Sequence, residues 1–172
     1  MKRFALVTGA SSGIGLQICY SLARRGYNII LTSRSENKLK TISELINSEF
    51  GVETTYFSCD LAEKQGPQNI YNFCESKNFQ VDVLVNNAGY ALPDAFEKNS
   101  VDDEENCIRV LGTSVISLTK LFVRDMIKNN HGKIMIVSSV AAFAPPAAIQ
   151  VMYGPLKTFM NRFSEALNIN YN

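Results

Sequence analysis

The stretch Phe4-Ala5-Leu6-Val7-Thr8-Gly9-Ala10-Ser11-Ser12-Gly13-Ile14-Gly15 decides how this chain is read. An apolar β-type run, Phe4 to Val7, meets three glycines, Gly9, Gly13 and Gly15, and an amphipathic helix follows at once. Glycine adopts backbone angles closed to other residues and lets a ligand approach the main chain. The helix points its unpaired N–H groups and the positive end of its dipole at whatever lies over the turn. A pyrophosphate is the natural occupant of such a place. The competing reading is a tight strand-to-helix turn with no ligand.

Outward from this turn, strands and helices alternate. The helix after it runs from Ile14 to Arg25, with Ile14, Ile18, Leu22 and Ala23 on one face, and stops at Gly26. Further strands are expected at Asn28–Thr32, Val52–Ser58, Val81–Val85 and Lys133–Val137. Helices are expected at 36–50, 65–77, 101–129 and 153–167. An alanine- and proline-rich loop, 141–150, precedes the last of them. Strands separated by helices pair in parallel through right-handed crossovers. Strands one, two, four and five are nearly all apolar, as in a sheet covered on both faces. The fold class is therefore α/β, a doubly wound parallel sheet of about five strands in one domain, 1–172, with ligands at the C-terminal ends of the strands.

The bulk properties exclude several functions. The chain has 172 residues, 46% hydrophobic and 19% charged, enough for one domain with a substantial core. A net charge of +1 argues against general electrostatic binding to nucleic acid or anionic membrane. No apolar run is expected to span a bilayer, and the basic start has too short an apolar run behind it for a signal peptide. Cys19, Cys59, Cys74 and Cys107 have no C-x-x-C spacing, and His131 is the single histidine, so no metal site is expected. Reduced thiols suit a cytoplasmic protein.

Four further places carry chemistry. Arg34 lies just past strand two, 19 residues after Gly15, where a dinucleotide's adenosine ribose would sit. An acid there would bind a 2′-hydroxyl, whereas arginine pairs with a 2′-phosphate; a solvated loop arginine is the alternative. Asp60, in Cys59-Asp60-Leu61 after strand three, can accept from an adenine amino group or cap the next helix. Asn86-Asn87-Ala88-Gly89 supplies amides and a close backbone approach after strand four. Tyr153 and Lys157 stand four apart at a helix start, on one face. A phenol with pKa near ~10 is a poor acid or base at neutral pH, and an ammonium one turn away favours its phenolate. Ser139, after strand five, can hydrogen-bond the same substrate oxygen.

Taken together, Thr8-Gly9-x-x-x-Gly13-x-Gly15, Asn86-Asn87-Ala88-Gly89 and Tyr153-x-x-x-Lys157 resemble the classical short-chain dehydrogenase/reductase family, in its order and spacing and along the whole chain. The resemblance implies a Rossmann fold and an NADP(H)- or NAD(H)-dependent oxidoreductase that moves a hydride between the nicotinamide and a carbonyl or alcohol carbon; Arg34 favours NADP(H). It makes Tyr153 the acid/base, Lys157 the residue that lowers its pKa and holds the nicotinamide ribose, and Ser139 the residue that orients the substrate oxygen. It places Thr8, Gly9, Ser11, Ser12, Gly13, Ile14 and Gly15 at the cofactor cradle. Arg34 falls at the 2′-phosphate, Asp60 at the adenine and Asn87 at the adenosine ribose, with Leu61, Ala88 and Gly89 also among the cofactor-binding residues. It also implies a homo-oligomer built on helices 101–129 and 153–167, and a small-molecule carbonyl or alcohol as the partner.

The chain departs from that pattern at three places. A gapless match of Val110 to Thr119 puts Leu111 where the family has a catalytic asparagine, which supports a kink and whose main-chain carbonyl holds a relay water; a poorer match puts Arg109 there. Ser139 precedes Tyr153 by 14 residues, one more than usual, so the 141–150 loop carries an extra residue, and Leu156 replaces a small or hydroxylated residue. Family members also continue beyond the Tyr-x-x-x-Lys helix with two strands and a substrate lobe, so the domain is expected to be incomplete at its C-terminus. A nucleotide-binding protein without turnover, or a module that pairs through its helices, competes with the enzyme reading.

Overall fold

The computed structural model describes residues 2–145 and 151–171. Five strands form one sheet: β1 (Phe4–Thr8), β2 (Asn28–Ser33), β3 (Thr54–Ser58), β4 (Val81–Asn86) and β5 (Lys133–Ile136). Their order is β3-β2-β1-β4-β5, and every pairing is parallel. The helices are α1 (Gly13–Arg24), α2 (Glu36–Phe50), α3 (Gly66–Ser76), α4 (Val101–Ile108), α5 (Ser114–Lys128) and α6 (Tyr153–Tyr171). This is the doubly wound parallel sheet expected from the alternation of apolar runs and helices. The chain builds outward from β1 to β3, then crosses to β4 on the other side, so β1 and β4 flank the point where the winding reverses. A crevice opens at such a point, beyond the strands' C-terminal ends.

β1 and β4 are buried along their whole length, as are Ile29, Ile30 and Leu31 in β2. Their side chains divide between two core layers. Ala5, Val7, Ile29 and Leu31 pack with Cys19, Ala23, Leu39 and Ile46 of α1 and α2. Leu6, Ile30 and Leu84 pack with Ile70 of α3 and with Leu118 and Phe122 of α5 on the other face. A third cluster joins Cys107, Leu111 and Val115 to Leu156 and Met160 of α6.

Several boundaries differ from the sequence reading. The face of α1 against the sheet is Gly15-Cys19-Ala23, whose small side chains allow close approach, and Ile14 is 63% exposed rather than buried with Ile18 and Leu22. β3 starts at Thr54, and α6 runs to Tyr171, four residues beyond the expected end. The expected 101–129 helix is continuous from Val101 to Lys128 but takes a π turn over Arg109–Thr113, closed by Ser114 N–H donating to the Arg109 carbonyl. The sequence reading found no run apolar enough to span a bilayer; this helix meets that measure, with a mean hydropathy of 1.3 over its most apolar 18 residues. Half of that window is buried in the fold, through Leu111, Val115, Leu118 and Phe122, as in a core helix. The expected extra residue of the 141–150 loop falls partly outside the described residues, which omit 146–150. Met135 of β5, Ile127 of α5 and Ile169 of α6 are exposed.

Candidate functional site

The glycine turn is fastened to the tip of β4 by Thr8. Its hydroxyl accepts from the main-chain N–H groups of Asn87 and Ala88, both at 2.9 Å, and donates to the Val85 carbonyl at 3.2 Å. Asn87 returns the contact: its Nδ2 donates to the Thr8 carbonyl at 2.8 Å and reaches the Gly9 carbonyl at 3.4 Å. The turn is tied to β2 as well, through Ala10 N–H and the Thr32 carbonyl at 3.1 Å. Two glycines are required by this packing. A Cβ on Gly9, whose φ is +66°, would stand 2.9 Å from both the Ala88 Cα and the Asn87 Nδ2. One on Gly15 would run into Asn87 Nδ2 and the Gly9 carbonyl. Gly13 differs: its φ is +55° and the space above it is open.

That open space belongs to a cleft across the strand ends. Gly9, Ser11, Ser12, Gly13 and Ile14 form its floor. Arg34, Asp60 and Leu61 close one end, and Asn87, Ala88 and Gly89 lie along the middle. Tyr153 and Lys157 close the other end. Three expected residues do not line it. Thr8 is buried with its hydroxyl committed to the fold, Gly15 is buried under the turn, and Ser139 stands aside with Oγ accepting from Ala141 N–H at 3.2 Å. Its neighbour Ser138 does line the cleft and donates to the Lys157 carbonyl at 3.0 Å. Asp60 does not cap α3, which starts at Gly66; its Oδ1 accepts from Ala62 N–H at 2.9 Å in a local turn.

Sequence reasoning missed Lys38, Ser33 and Ser35, which join Arg34 at the cleft end. The signal was present: Lys38 follows Arg34 by four residues, in the first turn of α2, where exposed N–H groups and a positive dipole end accumulate. It missed Tyr90 too, whose phenol is shifted upward mainly by burial.

At the other end, Lys157 is 3% exposed. Its Nζ donates to the Val137 carbonyl at 2.8 Å and lies 5.6 Å from the centre of the Tyr153 ring. Burial lowers its pKa from the usual lysine value, and the neighbouring Cys107 thiol opposes the shift only as far as it ionises. Burial in turn raises the Cys107 pKa, with Lys157 pulling the other way. Leu111 points into this region, with its side chain against Gly89. Arg109 turns outward to Glu105 at 2.8 Å, away from this region. The kink survives without an asparagine; Ser114 Oγ donates to the Val110 carbonyl at 2.7 Å within it.

A family model described as short chain dehydrogenase matches residues 3–172. The chain is 35% identical to a very-long-chain 3-oxoacyl-CoA reductase-B of Danio rerio, covering 99% of this chain and 55% of that protein. It is 34% identical to the 17-beta-hydroxysteroid dehydrogenase type 3 of Rattus norvegicus, covering 99% and 56%. Among solved structures, a short-chain dehydrogenase from Sphingobium yanoikuyae in complex with NADPH superposes with a TM-score of 0.92 at 27% identity, covering 99% of this chain and 66% of that one. The chain thus spans about half the length of the curated relatives it matches.

Proposed function

Since this chain belongs to the short-chain dehydrogenase/reductase family, we propose that residues 1–172 form one dinucleotide-binding domain of an NADP(H)-dependent oxidoreductase acting on a carbonyl or alcohol. The observation that carries the reading is the single cleft that joins the glycine turn to the Tyr153–Lys157 pair across the strand ends. The residues fit the dinucleotide on their own chemistry. Gly13 leaves open space at the N-terminus of α1, where main-chain N–H groups favour a pyrophosphate. Arg34, Lys38 and the hydroxyls of Ser33 and Ser35 gather cations and donors at the far end, a set suited to a 2′-phosphate. The second carboxylate oxygen of Asp60 is available to an adenine amino group, with Leu61 beside it.

When bound, the nicotinamide would supply or take the hydride. Tyr153 gives its phenolic proton to the carbonyl oxygen in reduction and takes it back in oxidation. Lys157, 5.6 Å from that ring, stabilises the phenolate electrostatically. Its pinning to the Val137 carbonyl holds it there without cost to side-chain freedom during turnover. In the role the family implies, Ser139 would donate its O–H to the substrate oxygen; its Oγ accepts from Ala141 N–H, which leaves that proton for donation. The relatives named for very-long-chain 3-oxoacyl-CoA and for hydroxysteroids support a substrate with a large apolar body. Exposed Val140 and Phe143, on the segment before α6, are compatible with one. Exposed Val101, Ile116 and Ile169 on α4, α5 and α6 support self-association through these helices. Four free cysteines fit a reducing compartment such as the cytoplasm.

A second reading, nucleotide binding without turnover, is favoured by two observations: Ser139 stands outside the cleft, and Leu111 brings an apolar group against Gly89, which Lys157 also approaches. Titration with NADPH and NADP, followed by fluorescence, and then NADPH oxidation with a panel of ketones separate the two. Saturable binding with ketone-dependent oxidation is expected; binding without oxidation under every ketone selects the second reading, and absence of binding removes both.

A further inference from the structure

Leu111 and the Lys157 ammonium approach Gly89 together. The position a Cβ would take on Gly89 lies 2.5 Å from Leu111 Cδ2 and 3.7 Å from Lys157 Nζ. Gly89 itself is exposed at the cleft, yet Leu111 is fully buried and Lys157 almost so. Leu111 therefore forms an inner wall behind the glycine. It belongs to an apolar strip, Cys107-Leu111-Val115, that packs on Leu156 and Met160 of α6 on either side of Lys157. The ammonium has a protein acceptor, the Val137 carbonyl at 2.8 Å. An amide at position 111 would have to find partners inside this strip, and the nearest candidates are the ammonium itself or a water drawn in beside it.

We propose that Leu111 is a positioning residue that seals the inner side of the Lys157 ammonium from water, so that among the described residues the Val137 carbonyl is the acceptor that anchors it beside Tyr153. This is a different arrangement from one in which a lysine reaches solvent through a polar neighbour. Proton exchange between the Tyr153–Lys157 pair and bulk water then runs through the cleft side, not behind Gly89. The titratable groups facing Nζ are the Tyr153 phenol on α6 and the Cys107 thiol on α4, with Tyr90 and Glu104 next to that thiol. Burial dominates over these charges in the direction of the lysine's shift, which is downward. The proposal deepens the oxidoreductase reading, on which its consequence for turnover rests, while the seal itself is a matter of packing.

The test is an NMR titration of 13C-labelled lysine side chains, with the Lys157 signal assigned by its loss in Lys157→Arg. In the unmodified chain the Lys157 midpoint is expected below the ordinary 10.5. It should move upward in Leu111→Asn and in Leu111→Ser, which place polar groups or water beside Nζ, and stay put in the apolar control Leu111→Met. A parent midpoint at or above 10.5, an unmoved midpoint in either folded polar variant, or an equal rise in Leu111→Met would overturn the proposal. NADPH titration of the parent is read in parallel. Loss of that binding alone would sink the dinucleotide reading and leave the lysine result standing, so the two failures are distinguishable.

Discussion

Thr8→Val tests whether one buried hydroxyl couples the glycine turn to β4. Valine matches threonine in shape, so packing around the 1%-exposed side chain is nearly preserved and only hydrogen bonding is lost. The change removes the acceptor of two main-chain donors, Asn87 N–H and Ala88 N–H, and the donor to the Val85 carbonyl. An orphaned buried polar group costs about 1–3 kcal/mol. Asn87 and Ala88 are only half-buried, so water recovers part of the loss, and the 3.2 Å bond to Val85 is the weakest of the three. A net destabilisation of roughly 2–4 kcal/mol follows. For a domain of this size that corresponds to a fall of about 4–16 °C in Tm. Thr8→Ser keeps the hydroxyl and loses one methyl, so it should cost only about 0.5–1.5 kcal/mol. Differential scanning calorimetry on the three proteins, with NADPH titration alongside, makes the comparison. NADPH affinity should also weaken in Thr8→Val, because the main-chain N–H groups of Asn87 and Ala88, which lie along the cleft, lose their shared acceptor. A Tm for Thr8→Val within 2 °C of the parent, or below that of no other variant but equal to Thr8→Ser, would refute the claim that the hydroxyl carries the coupling.

Arg34→Asp should erase or reverse a preference for NADPH over NADH, with a loss of roughly tenfold to a hundredfold in NADPH affinity as a charge-assisted phosphate contact is removed; equal affinities in the parent would defeat the assignment. Tyr153→Phe keeps the ring and removes the proton donor, so ketone-dependent NADPH oxidation should drop by at least ~10²-fold while fluorescence titration shows little change in cofactor binding; undiminished turnover would place the acid elsewhere. Alkaline stability should follow the buried thiols. Cys19 is fully buried and its pKa is pushed up from 9.0 to about 12. Above pH 9 the unfolded thiol loses its proton while the folded one keeps it, so stability present at neutral pH declines between pH 9 and about 12. The slope reaches at most about 1.4 kcal/mol per pH unit for one such group. Urea midpoints at pH 8 and pH 10 should therefore diverge less in Cys19→Ala than in the parent, and an unchanged divergence would contradict the burial argument.

The local chemistry of the chain determined the order of elements. Apolar runs at Phe4, Asn28, Val81 and Lys133, separated by helical periodicity and stopped by Gly26 and Gly51, admit one economical arrangement, because parallel strands need crossovers and buried strands need apolar side chains. The glycine turn was legible for the same reason: a positive φ at Gly9 and Gly13 is a demand made by the backbone itself. What the sequence could not supply is anything set by the meeting of distant segments. Ile14 reads as core by periodicity, yet the sheet accepts only the small Gly15-Cys19-Ala23 face, and Ile14 is left over the cleft. Thr8 reads as a cradle residue, yet the approach of β4, 77 residues on, turns its hydroxyl into an internal tie. Lys38 gains its place beside Arg34 only because α2 begins at the strand end. Leu111 looked like a missing asparagine; its contact with Gly89 and its nearness to Lys157 join three segments far apart in the chain, and the environment of a buried ammonium exists only once those segments have packed. Propensity and periodicity act over a few residues, whereas desolvation and hydrogen-bond partners are decided by whichever surfaces close over a group in the folded state.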